Sequence, residues 1–195
     1  MRPMTESPKP LAWLLATLTA LYVVAFRLLP YETTAWMLWP FTAFGLYAGA
    51  RLRWWQSLML VLGVQAATDA LLFAIHQWPV SYGAYPSFAL FVLLGRMLLA
   101  NSNSPARLFA GTTISYTLFF LITNAIAWLE NSMPEYRVKS FDTLMLAYGK
   151  GLEFVRAQPM QVFGQYVMAA LVFGGHAVLA KRWFPAEVVQ PETAR

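Results

Sequence analysis

The chain has no cysteine, only two histidines and little charge: 14 Lys and Arg and 9 Asp and Glu in 195 residues, or 12% charged. Without cysteine there is no thiolate metal site, thiol nucleophile or disulfide, and nothing to mark a redox compartment. His176 has no second metal ligand at i+4, and His76 reads as an interfacial side chain in a loop, so no metal site is expected. No GxSxG turn is present, and Gly149-Lys150-Gly151 is not the GxxxxGK[ST] phosphate loop. Neither enzymatic chemistry nor a cofactor is therefore expected. A soluble domain carries roughly twice this charged fraction, because its surface must face water.

What the chain has in quantity is apolar sequence: 58% hydrophobic residues and a mean hydropathy of +0.49. Its apolar runs approach or reach the ~20 residues that cross a bilayer. The expected fold is all-α, a single membrane domain over 1–195 with six transmembrane helices. The spans are expected at about 10–29, 35–52, 54–75, 86–100, 108–129 and 159–180. Arg2 and Lys9 before the first run resemble the start of a signal peptide. The run from Leu11 to Phe26 is long for one and lacks a small-x-small cleavage site, so it reads as an uncleaved span.

Charge sets the expected orientation. With six spans, Arg2, Lys9, Arg51, Arg53, Arg96, Arg107, Lys181 and Arg182 all fall on one side, the positive-inside pattern. Both termini are then cytoplasmic, in a multi-pass membrane protein. The net charge of +5 reports this topology and no nucleic-acid partner. Trp13, Trp54, Trp55 and Trp183 mark inner ends, and Trp36, Trp39, Trp78 and Trp128 outer ends. The outer side has Arg27 with Glu32 in its first loop and a long loop, 130–158, where four acids balance Arg137, Lys139, Lys150 and Arg156. Long loops of this kind tend to be lids or binding loops.

Three spans place polar residues at one level in the outer third of the membrane: Asp69, Thr123 with Asn124, and Thr42 beside Pro40. An ionisable residue in a span is a functional candidate because its burial is costly. Two readings stay open. These residues either form the polar floor of a small-molecule pocket, or Asp69 pairs with Arg27 and Asn124 and Thr123 hold helices together. Small residues recur as well: Ala12, Ala16 and Ala20 form a stripe on the first span, and Ala43, Gly45, Ala48, Gly49 and Ala50 crowd the second. Such faces permit close helix packing, within the bundle or against another subunit.

Six spans, inner termini, the alanine stripe and an outer-facing pocket resemble the substrate-binding S component of energy-coupling factor (ECF) transporters. A closer similarity is to an uncharacterised S-component-like group of bacterial membrane proteins. It is carried by Phe41-Thr42 through Gly45, Leu46, Tyr47 and Gly49, by Thr68-Asp69, by Thr123-Asn124 with Trp128, and by Tyr148, Phe154 and Arg156, across residues 39–170. Trp39-Pro40, Ala43, Thr68 and Ala147 depart from that group's Asn, Pro, Ser and Cys.

The resemblance implies capture of a small organic micronutrient from the outer side, with no chemistry by this chain. Thr42, Asp69, Thr123 and Asn124 would form the floor of the site, closed from above by Trp128, Tyr148, Phe154 and Arg156. Ala12, Ala16 and Ala20 would dock a transmembrane T subunit linked to two cytoplasmic ATPases. The alternatives are a membrane scaffold or assembly protein with purely structural polar residues, and a lipid-acting enzyme using Asp69 with His76.

Overall fold

A computed structural model describes residues 9–34, 37–80 and 82–189. Arg2 and Trp36, and the side chain of Glu32, named above as orientation markers, lie outside that description. All regular structure among the described residues is helical. The helices are α1 (Pro10–Leu28), the single turn α2 (Tyr31–Thr34), α3 (Phe41–Arg51), α4 (Trp54–His76), α5 (Ala84–Leu99), α6 (Pro105–Leu129), α7 (Phe141–Ala157) and α8 (Pro159–Trp183). Short 3-10 turns occupy Pro134–Arg137 and Pro185–Glu187.

The starts follow local chemistry. Pro10, Pro105 and Pro159 each open a helix, where their missing N–H costs nothing. Ser104 caps α6 by accepting from the Arg107 amide at 3.4 Å. Ser140 caps α7 by accepting from the Thr143 amide at 3.2 Å, and Thr143 Oγ1 accepts in return from the Ser140 amide at 3.1 Å.

Helices α1, α4, α6 and α8 are long and apolar enough to cross a membrane. The bundle has the matching inverted polarity. Leu18, Leu21, Met59, Ile75, Phe109 and Val178 are exposed on its flanks, while Ser57, Gln65, Thr112, Ser115, Gln165 and His176 are buried. That distribution suits an apolar solvent, where polar groups must be satisfied inside the protein.

Two expected elements differ. Of the continuous second span expected over 35–52, residues 37–40 break from helical structure and only the 11-residue α3 is helical among the described residues. Pro40 explains the break, since proline has no N–H and disfavours helical conformation in the residue before it. At 1.5 Å per residue α3 is only about 16 Å long, and every one of its residues is buried. The loop expected at 130–158 is largely the 17-residue α7.

Helix α3 is the centre of the bundle and meets α5 backbone to backbone. A Cβ on Gly49 would lie 2.0 Å from the Val92 carbonyl oxygen, and one on Gly95 2.1 Å from that of Leu46. Facing glycines permit this contact.

The stripe Ala12, Ala16 and Ala20 is likewise used internally, with all three residues buried in the main apolar core. It therefore presents no free face for a T subunit, as the resemblance had implied. Small side chains here let α1 settle against its own neighbours.

The helices alternate so that one end carries Lys9, Arg51, Arg53, Arg96, Arg107, Lys181 and Arg182 and the other carries α7. Hydrogen bonds tie the basic end together. The Glu187 carboxylate accepts from the first amides of α1, Leu11 at 2.8 Å and Ala12 at 2.9 Å. This charged cap compensates the absence of any side-chain bond from the N-cap residue, Lys9. His176 bridges Tyr47 Oη, at 2.7 Å, and the Glu187 carbonyl, at 3.3 Å.

Candidate functional site

At the end opposite the basic cluster, α6 and α7 enclose an open cavity of about 500 Å³ with Trp39 and Gln161. From α6 it takes Tyr116, Phe119, Phe120, Thr123, Asn124 and Ala127, residues three and four apart on one helical face. From α7 come Lys150, Gly151, Phe154 and Val155, and from the connection before it Ser132, Met133 and Tyr136. The walls are therefore mainly apolar, with six aromatic side chains among them. Volume and composition both match a small-molecule pocket.

Glycine and asparagine set the approach of α7. A Cβ on Gly151 would come within 2.4 Å of Asn124 Oδ1, so any larger residue there would have to displace the Asn124 amide. Asn124 Nδ2 donates to the Phe120 carbonyl at 2.8 Å, and Thr123 Oγ1 donates to that of Phe119 at 2.7 Å. Both side chains thus spend donors on their own helix and keep acceptor capacity. Lys150 brings the cation, 3.8 Å from Glu153.

Trp128 and Tyr148 fasten α7 in place. Trp128 Nε1 donates to Thr143 Oγ1 at 2.9 Å, and the Lys139 ammonium lies 4.8 Å from the Trp128 ring centroid while donating to its carbonyl. Tyr148 packs on Phe120 with ring centroids 5.9 Å apart and donates to the Leu121 carbonyl at 3.3 Å. Neither lines the cavity, and Arg156 is exposed outside it. Phe154 does line the cavity, with half its surface still exposed at the mouth.

Of the expected floor, then, Thr123 and Asn124 reach the cavity, and Asp69 and Thr42 do not. Asp69 sits in a separate cluster joining α1, α4 and α5. Arg27 donates to it and to Gln65. Gln65 Nε2 lies 3.1 Å from each Asp69 oxygen, and Tyr85 Oη donates to Asp69 at 2.8 Å. With three side chains donating to it, this buried carboxylate is satisfied within the protein, the structural alternative left open by the sequence. His76, on the exposed end of α4, packs against Trp78 at 5.0 Å between centroids and takes no part in the cluster. Thr42 instead donates to Gln165, linking α3 to α8.

Sequence reasoning missed Tyr116, Phe119, Phe120, Tyr136, Lys150 and Gln161. Stepping back four residues at a time from Thr123 and Asn124 along α6 would have found the first three. Lys150 depends on α7 being a helix, while Tyr136 and Gln161 come from the 3-10 turn before it and from the start of α8.

A helical, inverted-polarity bundle with an aromatic cavity at one end is the class of protein that these features define. The chain belongs to a family of unknown function, DUF6580, whose sequence profile matches residues 7–188. No curated protein and no solved structure matches the chain.

Proposed function

We propose that this protein is a membrane-embedded substrate-binding subunit, resembling an ECF transporter S component, that captures a small organic micronutrient from the outer side. The observation that carries the reading is the cavity of about 500 Å³ between α6 and α7. Its aromatic walls favour a flat, largely apolar molecule. Lys150, Asn124 and Gln161 would meet a carbonyl or carboxylate at its edge.

The topology proposed with this function has six passes in a bacterial inner membrane, both termini cytoplasmic. The pass through α2 and α3 is a broken one, its short helix shielded by protein. The basic end faces the cytoplasm, which puts the cavity outside. Helix α7, held by Trp128 and Tyr148, is the lid. Energisation by a T subunit and its ATPases belongs to the same reading, with docking on a face other than the buried alanine stripe.

The test is mass spectrometry of small molecules released from the purified protein. The reading expects one organic compound, retained by the intact chain and depleted in Asn124→Ala and Phe154→Ala variants that keep the helical circular dichroism. Equal retention in both variants refutes it.

A further inference from the structure

Beneath the cavity between α6 and α7 lies a buried amide that is only half used. Gln165, on α8, is 1% exposed. Its Oε1 accepts from the Thr42 hydroxyl, while its Nε2 has no hydrogen-bond partner among the described residues. Turning the amide over would leave Oε1 unpaired instead, because Thr42 offers a single hydroxyl. A buried polar group left unpaired is costly and uncommon.

The place of Gln165 in the bundle ties it to the cavity. Helix α8 starts at the cavity end, where Gln161 lines the wall. Gln165 follows one turn, or about 6 Å, deeper on the same face. Trp39 lines the wall beside it, and a Cβ on Gly164 would stand 2.6 Å from the Trp39 amide nitrogen. Thr42, three residues further into the bundle than Trp39, meets Gln165 at that level. The deepest α6 residue lining the cavity is Tyr116. Below it α8 closes onto α6: Tyr166 stacks on Phe109, 5.1 Å between centroids, and its hydroxyl lies 3.0 Å from Thr113 Oγ1. The α8 turn from Gln161 to Tyr166 is therefore the floor, and Gln165 is its one unsatisfied donor.

We infer that Gln165 is the inner recognition residue of this site, its Nε2 donating to a carbonyl oxygen or ring nitrogen on the end of the molecule that enters first. Thr42 is the positioning residue that holds the amide by its other end. The inference rests on the ligand-binding reading of the cavity and narrows the class of ligand. It is a flat molecule with a hydrogen-bond acceptor at each end, one toward Lys150 on α7 and one at the floor.

The experiment compares the intact chain and its variants by native mass spectrometry, scoring the small-molecule adduct that co-purifies. Gln165→Leu removes the amide, and Thr42→Val/Gln165→Leu removes both partners, an exchange that leaves stability near that of the parent. In both, adduct occupancy should fall about fivefold, the worth of one hydrogen bond, with helical circular dichroism retained. Thr42→Ser keeps the hydroxyl and should match the parent. Tandem mass spectrometry of the compound released from the parent needs no variant, and should show acceptors at both ends. An adduct depleted in Asn124→Ala but undiminished in Gln165→Leu overturns the inference and leaves the ligand-binding reading standing. So does a compound with polar atoms at one end only. A parent without any adduct refutes the ligand-binding reading itself, and the inference with it.

Discussion

Replacing Gly49 or Gly95 by alanine should force α3 and α5 apart, and the structure sets how far. The new Cβ would stand 2.0 Å from the Val92 oxygen in one case and 2.1 Å from the Leu46 oxygen in the other. A carbon rests against a carbonyl oxygen at ~3.3 Å, so each substitution needs the helices to separate by about 1.2 Å. The obstacle is backbone on both sides, which cannot rotate away. Because α3 is buried along its length, the movement also loosens its other contacts. The cost should be about 3 kcal/mol, the upper part of the range for overpacking. Unfolding in mixed micelles by increasing SDS, followed by far-ultraviolet circular dichroism, measures it. Gly63 is the internal control: nothing lies within 4 Å of a Cβ placed there, so Gly63→Ala should stabilise α4 by up to about 1 kcal/mol through helix propensity. Gly49→Ala and Gly95→Ala variants within about 0.5 kcal/mol of the parent would refute the backbone-contact account.

The Asp69 cluster should behave as a structural unit. Asp69→Ala leaves the Arg27 charge uncompensated and should cost about 3–5 kcal/mol in the same unfolding assay, with Arg27→Met/Asp69→Leu recovering most of it. Ligand retention by the double variant should match the parent. At the basic end, Glu187→Ala removes the acceptor of two α1 amides and should cost about 1 kcal/mol. Hydrogen exchange at Leu11 and Ala12 should accelerate while that of the central α3 amides stays slow.

The long apolar helices were legible because lipid-crossing sequence is a composition signal, and α1, α4, α6 and α8 fall close to their expected spans. The gathering of basic residues at one end was legible because they fall at alternate ends of successive apolar runs. Helix α3 was not. Its apolar run continues through Trp39 and Pro40, and hydropathy does not register that proline ends the helix there. Helix α7 was hidden by the opposite bias. Its charges read as loop, while the helix signal was the short Ser140–Thr143 capping box.

At the candidate site, Thr123 and Asn124 were identifiable as polar residues at membrane depth. Depth along a helix does not give its rotation. Asp69 shares their level but faces Arg27, Gln65 and Tyr85, away from the cavity. The alanine stripe had the same limit: its spacing predicts close packing and leaves the partner unspecified.

The central claim is that the cavity between α6 and α7 holds a small organic molecule, and filling that cavity tests it most directly. Ala127 lines it from α6, and Ala127→Trp would place an indole in the space. Native mass spectrometry of the parent and the variant, purified identically and compared for helical content, should find one small-molecule adduct per parent chain and none on the variant. The same adduct on a folded Ala127→Trp protein, or no adduct on the parent from any growth medium, would contradict the account.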